Sequence, residues 1–187
     1  MTTQEFPTSA PMHVRPAHLA DAEPIGQIQS QSMRHTLTNA LGKEISPATA
    51  ASFDPEAFAK TWRSAIGNLK PSQLVLVAVD SAGVRGFAAG SLTEPSDGSL
   101  AFTVSSFELA DDARGTGHGA QLLNAVADNA RRMHAEKIFA WLFAGDDEST
   151  TAFSKAGFEP AGTRQTFDID GEQLSAHLWW ASIDEED

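Results

Sequence analysis

Residues 107–120 read FELADDARGTGHGA, and the reading of this stretch decides the fold. Phe107-Glu108-Leu109 ends a strand, Asp111-Asp112 makes a short acidic turn, and a helix follows the glycines. Gly115, Gly117 and Gly119 alternate directly before that helix, a spacing that leaves backbone N–H groups bare and convergent. Such groups at the positive end of a helix suit a phosphate or diphosphate.

Working upstream, residues 100–109 form a strand. Asp97-Gly98 signals a hairpin, and residues 84–93 form the strand before it. Ser81-Ala82-Gly83 is a further turn, preceded by the strand 73–79 (QLVLVAV). Three antiparallel strands therefore lead into the glycine loop. Before them, Asp54 and Pro55 open a helix as N-cap and first residue, with Phe53 and Phe58 spaced as a hydrophobic staple. Its stripe of Phe58, Trp62, Ala65, Ile66 and Leu69 ends at Pro71. An earlier helix is expected over residues 21–37, with Ile25, Ile28 and Ser32 on one face. Residues 38–53 read as irregular, and residues 36–53 as a candidate lid. Residues 12–15 read as an edge strand stopped by Pro16.

Downstream, Leu122, Leu123, Val126, Ala127, Ala130 and Met133 give the helix over residues 119–133 a single apolar face. Residues 137–144 form an apolar strand parallel to the one before the loop, because a helix crosses between them. A short helix over residues 147–156 ends at Gly157. A final hairpin, 158–169 and 172–182, turns at Asp170-Gly171. The order β α α β β β α β α β β predicts an α/β (α+β) fold. Its mixed, mainly antiparallel sheet has about seven strands, helices on both faces and one βαβ crossover at the glycine loop.

The chain has 187 residues, no Cys, no Tyr and a formal net charge of -12. One domain is expected over residues 12–183, between a loose tail (1–11) and an acidic end (184–187). Residues 1–11 lack a basic start and an apolar core, so no signal peptide is read and a cytoplasmic location is expected. Disulfides, thiolate metal sites and a cysteine nucleophile are excluded. The acidic balance argues against nucleic-acid and membrane partners and favours cationic ones. No His or carboxylate cluster has metal-ligand spacing, so no metal is expected.

Three ligands compete for the loop. A Walker A loop ends in Gly-Lys-Ser/Thr, and this one ends Gly117-His118-Gly119-Ala120. A dinucleotide fold needs G-x-G-x-x-G within repeated βαβ units, and the antiparallel strands oppose it. The third is acyl-CoA. Arg114-Gly115-Thr116-Gly117-His118-Gly119 resembles the R/Q-x-x-G-x-G/A signature of the GNAT (Gcn5-related N-acetyltransferase) superfamily. Phe107-Glu108-Leu109 resembles the end of that family's fourth strand. Residues 146–158 (DDESTTAFSKAGF) resemble its N-x-x-A-x-x-x-Y-x-x-x-G-F helix. The order of elements agrees over nearly the whole chain.

The resemblance implies an acyl-CoA-dependent N-acyltransferase, moving acetyl from acetyl-CoA to a primary amine by direct attack in a ternary complex. The acceptor is a small-molecule amine or a protein amino group. The alternative is a non-catalytic acyl-CoA-binding module of the same fold. It implies that the backbone of Arg114, Gly115, Thr116, Gly117, His118, Gly119 and Ala120 holds the diphosphate, with Arg114 as the nearby cation. Phe107 and Leu109 would pair with pantetheine, and the Leu109 N–H would meet the oxyanion. Asp146, Ser149 and Phe153 would flank the same ligand. The family's usual tyrosine acid falls on Phe153, which cannot donate a proton. Ser149, one turn earlier, is the substitute, through a held water. A CoA thiol resembles free Cys, with a pKa of about 8.5, so the thiolate leaves tolerably without an acid. Glu108 is the nearest carboxylate for the base. Alternation places it opposite Phe107 and Leu109, with the acceptor's face left open. Glu94, His35 and His177 are further candidates. His118 is read as contributing backbone only. Trp179-Trp180 cannot both face the core; one reading has one of them line the acceptor groove, and packing or a homodimer contact is the commoner use.

Overall fold

The computed structural model describes residues 11–95 and 98–183. The expected tails lie, apart from Pro11, outside the described residues, as does Asp97 of the expected hairpin. Seven strands form one sheet in the order β1-β2-β3-β4-β5-β7-β6. They are β1 (His13–Pro16), β2 (Gln73–Asp80), β3 (Gly83–Thr93), β4 (Ala101–Leu109), β5 (Lys137–Phe143), β6 (Glu159–Ile169) and β7 (Glu172–Ser182). The helices are α1 (Ala22–Leu41), α2 (Pro47–Ser52), α3 (Pro55–Gly67), α4 (His118–Arg132) and α5 (Asp147–Lys155). Among the described residues only β4 and β5 pair in parallel, joined by α4. The expected mixed sheet with one crossover is the one observed.

Period-two alternation sorts the sheet into two cores. Leu76, Ala78, Ala88, Phe102 and Val104 pack with Leu122, Leu123, Val126 and Ala130 of α4 and Phe153 of α5. Val75, Val77, Phe87 and Ala89 pack on the opposite face with Ile25 and Ile28 of α1 and Trp62 and Ile66 of α3. Trp62 meets Phe87 edge-on, ring centroids 5.1 Å apart. Burying each Val, Leu, Ile or Phe among them contributes about 1.5–3 kcal/mol. Gly26 lets α1 and α3 touch: a Cβ there would lie 2.6 Å from the Pro55 carbonyl oxygen and the Ala59 nitrogen.

Two expectations are corrected. The first helix runs on to Leu41 and is stopped by Gly42, whose φ of 67° is left-handed. Residues 38–53, read as irregular, contain α2, capped by the Ser46 hydroxyl accepting from the Thr49 amide at 3.1 Å. The reason lies far away in sequence. Asp170, in the turn of the last hairpin, accepts from the Ser46 amide at 2.7 Å, from the Ser46 hydroxyl at 2.6 Å and from the Thr49 hydroxyl. Lys43 pairs with Glu172 beside it. Six residues, too few to hold a helix alone, are thus fixed by tertiary bonds to a turn far along the chain.

The feature that opens the site is a bulge in β4. Ala89 pairs with Ser106 and Gly90 with Val104, so Ser105 is an extra residue on β4. Its hydroxyl donates to the Ala89 carbonyl at 3.2 Å. A bulge bends its strand and shifts the alternation by one. Phe102 and Val104 face α4 before it, and Phe107 and Leu109 face α4 after it. The bend also parts β4 from β5. Their ladder runs from Ala101↔Lys137 to Val104↔Ala140 and stops, while β5 continues against β7 to Phe143. Residues 105–109 of β4 are therefore paired on the β3 side alone.

Candidate active site

The glycine loop lies at the mouth of this split. Gly115 and Gly117 have φ of 71° and 97°, a region L side chains enter only with strain. Gly117 caps α4 with no side-chain partner. Among the described residues no backbone carbonyl accepts from the amides of Gly115, Thr116 or Gly117, and the amides of His118, Gly119 and Ala120 form the open first turn of α4. The result is a run of donors aimed at one place, backed by the positive end of a 15-residue helix.

The loop is pinned from behind. The His118 ring is buried and bonds the Thr116 hydroxyl at 2.6 Å and the Asp80 carboxylate of β2 at 3.1 Å. Thr116 in turn donates to the Ala113 carbonyl at 2.6 Å. Arg85 on β3 lies 3.5 Å from Asp80 and 2.6 Å from Asp112. The side chain of His118 therefore points into the protein, and its backbone alone is presented to the groove. The Arg114 guanidinium, expected as a cation for the diphosphate, lines the groove and is held by side chains across it. Its Nη2 donates to the Ser32 hydroxyl at 2.9 Å, and it lies 3.5 Å from Glu148 and 3.6 Å from Asp111.

Two cavities meet at the split. The first, of about 540 Å³, runs between the loop, α4 and α5; Phe107, Leu109, Arg114, Gly115, Gly117, Gly119, Ala120, Glu148, Ser149 and Phe153 line it. The second, of about 390 Å³, opens on the α1 side and runs under Phe53, Phe143, Phe167 and Ile169. Thr36, Phe107, Glu108, Ser149 and Phe153 border both. Phe153 is buried and meets Phe107 and Phe158 edge-on at 5.2 and 5.0 Å. The junction thus has an aromatic wall where the resemblance expects a phenol.

Glu108 is the ionisable side chain of this junction that the bulge turns toward α1. Loss of water pushes its carboxyl up to about 7. The Ser32 hydroxyl and the nearby Arg114 charge pull it down, and Asp146 pushes it up. A carboxyl poised near neutrality at the meeting of two cavities has the character of a general base. Asp146 is buried and caps α5, accepting from the Ser149 amide at 3.4 Å and the Ser149 hydroxyl at 2.6 Å. It faces the second cavity, whereas the sequence reading grouped it with the loop. Ser149 does sit at the junction, with its proton engaged by Asp146.

The backbone of β4 completes the site. Ala110 donates to the Arg85 carbonyl at 2.8 Å, and the Glu108 carbonyl lies against Gly86 of β3. Since N–H groups alternate along a strand, those of Phe107 and Leu109 point the other way, into the split. The remaining candidate bases lie elsewhere. His35 bonds Glu148 at 3.0 Å with its ring partly exposed, His177 borders a small cavity beside Trp179 on the outer sheet, and Glu94 follows the end of β3. Gln29 and Trp141 of the second cavity had no signal in the sequence, since they come from elements whose approach it does not specify. Ser32 carried a signal, as a polar residue on the apolar face of α1.

Comparison with known proteins agrees with this architecture. The acetyltransferase (GNAT) domain model matches residues 26–169. The chain is 35% identical over 89 residues to the L-methionine sulfoximine/L-methionine sulfone acetyltransferases of Pseudomonas aeruginosa and Pseudomonas paraeruginosa. The match covers 47% of this chain and 52% of those relatives, about half the length of each. Ribosomal-protein-alanine N-acetyltransferase from Brucella melitensis shares the fold with a TM-score of 0.69 and 23% identity, over 91% of this chain and 99% of that one. So does the phosphinothricin acetyltransferase of Sinorhizobium meliloti, solved with acetyl-CoA, with a TM-score of 0.68 and 22% identity over 91% and 88%. Glycine loop, split strands and family model coincide on the same residues, and the chain belongs to the GNAT acetyltransferase family.

Proposed function

We propose that the protein is an acetyl-CoA-dependent N-acetyltransferase that acts on a primary amine by direct attack within a ternary complex. One observation carries the reading: the loop groove and the α1-side cavity meet at a carboxyl held near neutrality, beside unpaired amides of β4. The residues fit the cosubstrate. The bare amides of residues 115–120 would hold its diphosphate, because positive-φ glycines allow close backbone approach. The free edge of β4 at Phe107 and Leu109 would hold its pantetheine arm as an added strand.

Acetyl-CoA supplies an activated acyl group on a sulfur leaving group. The chain's own residues do the rest. Glu108 accepts the proton that the incoming ammonium must lose before its nitrogen can attack. The Leu109 N–H, facing the split, donates to the acyl oxygen as negative charge gathers there. Phe107 and Phe153 exclude water from the junction, which strengthens both effects. Phe153 donates no proton, so the thiolate leaves unassisted or through a water near Ser149.

The test has two stages. Acetyl-CoA and CoA should raise the melting temperature, and NAD should not. A thiol-release assay over an amine panel should then show turnover. Binding without release on any amine would favour the non-catalytic module, and absence of binding would remove the whole reading.

A further inference from the structure

The second cavity carries chemistry of its own. Its far wall is apolar and aromatic: Leu37, Phe53, Phe143, Phe167 and Ile169, with Trp141 beside them. Phe143 and Phe167 meet edge-on at 5.8 Å. Its near end is acidic, with Glu108 toward the acyl groove and the buried carboxylate of Asp146 behind it. Gln29, Thr36, Ser105, Ser106 and Ser149 supply neutral polar groups. Among the described residues lining it there is no Lys, Arg or His. Two guanidinium groups stand outside its lining: Arg34 of α1 donates to the Phe53 carbonyl at 3.3 Å, and Arg114 lies in the other groove, engaged by Ser32, Glu148 and Asp111.

We infer that the acceptor is a primary amine on an aryl or branched alkyl chain that carries no carboxylate next to its nitrogen. This rests on the acetyltransferase reading and deepens it. An ammonium entering the acidic end gains an attractive field from two carboxylates in a medium that excludes water. A carboxylate on the adjacent carbon would be drawn into the same place. It would meet Glu108 and Asp146 with no cation in the cavity's lining, and Arg114, whose charge reaches Glu108 from the other groove, is already engaged by Ser32, Glu148 and Asp111, so like charges would be buried together. The far wall selects in the complementary sense. It accepts rings and methyl groups, and it offers a second ammonium nothing but apolar surface. The inference separates this chain from its Pseudomonas relatives, named for L-methionine sulfoximine, an amino acid whose amine stands beside a carboxylate.

Matched pairs differing in the carboxylate alone provide the test. Thiol release with saturating acetyl-CoA is measured for phenethylamine against L-phenylalanine, tryptamine against L-tryptophan, and L-phenylalanine methyl ester as the neutralised form. Spermidine, L-methionine sulfoximine and a peptide with a free N-terminus complete the panel. The expected kcat/KM favours each decarboxylated partner by roughly 100-fold, the scale of a buried like-charge clash. The methyl ester should recover most of the loss. Phe167→Arg, at a position 40% exposed on the rim, adds the missing cation and should narrow the gap by about tenfold, the scale of one added charge pair. Preference for L-phenylalanine, L-methionine sulfoximine, spermidine or the peptide would overturn the inference and leave the enzyme assignment standing. Acetyl-CoA binding with no turnover on any member would overturn it too. A protein that fails to bind acetyl-CoA would instead bring down the acetyltransferase reading beneath it.

Discussion

The two cavities are built in different ways. The loop end of the first groove is made of backbone: amides of consecutive residues, positive-φ glycines and one helix end, within residues 107–120. The α1-side cavity is made of side chains from α1, β4, β5, β6, α5 and the turn before α3, residues as far apart in sequence as Gln29 and Ile169. A backbone site binds what is common to many ligands, because every residue has an N–H. A side-chain site binds what is particular, because each wall position is free to vary. The first should therefore respond to changes in backbone freedom and the second to changes in charge and shape.

The sharpest break of that contrast is at Glu108, where the cavities meet. Glu108→Gln should lower kcat by about 10²–10⁴, the range for a lost general base, while acetyl-CoA affinity measured by calorimetry stays unchanged. The remaining activity of the native protein should rise with pH through about 7. Stability should move the opposite way. The folded state keeps a proton on Glu108 up to about 7, whereas the unfolded chain releases it near the ordinary 4.5. Stability is therefore lost as pH climbs between those values and is level above them. Glu108→Gln escapes this cost, so its advantage in urea melts should be small at pH 5 and at most about 3 kcal/mol at pH 8. A pH-independent difference between the two proteins would show that the carboxyl is not held in this way.

Gly117→Val attacks the backbone side of the comparison. A left-handed β-branched residue costs about 1–3 kcal/mol, and the distorted loop should weaken acetyl-CoA by roughly 100-fold or more. The relative rates among acceptor amines should not change. A shift in acceptor preference would mean that the two cavities are not separately built. His118→Ala should have a smaller effect of the same kind. It leaves Asp80 and Thr116 without their shared partner, so stability should fall by about 1–3 kcal/mol. The KM for acetyl-CoA should rise by roughly tenfold with kcat largely kept. A kcat loss at unchanged KM would contradict its role behind the loop. The mildest change is Phe153→Tyr, which adds a phenol at the junction. Turnover should be retained or rise by about threefold, a gain of under 1 kcal/mol. A large loss with acetyl-CoA binding intact would place Phe153 elsewhere in the reaction.

Local signals made most of the fold legible. Asp54-Pro55 opened α3 as expected, with the Asp54 carboxylate accepting from the Glu56 amide at 3.0 Å. Asp170-Gly171 turned the last hairpin with φ of 55° and 77°. The apolar stripe of α4 packs on the sheet as its spacing requires. What escaped was held by distant partners. α2 depends on Asp170, more than a hundred residues on. The bonds that hold Arg114 come from Ser32 and Glu148, which approach from α1 and α5.

The sequence by itself determined the order of elements, the glycine loop and the identity of the residues around it, because those depend on φ freedom, capping and period within a dozen neighbours. The tertiary structure alone decided which way Glu108 faces and what it meets. One bulged serine reverses the alternation of β4 and parts it from β5. That single step turns a strand glutamate away from the α4 core toward Ser32, and it opens the seam where two cavities join. A register shift of this kind depends on the partner strand, and so it has no signature in the residues that undergo it.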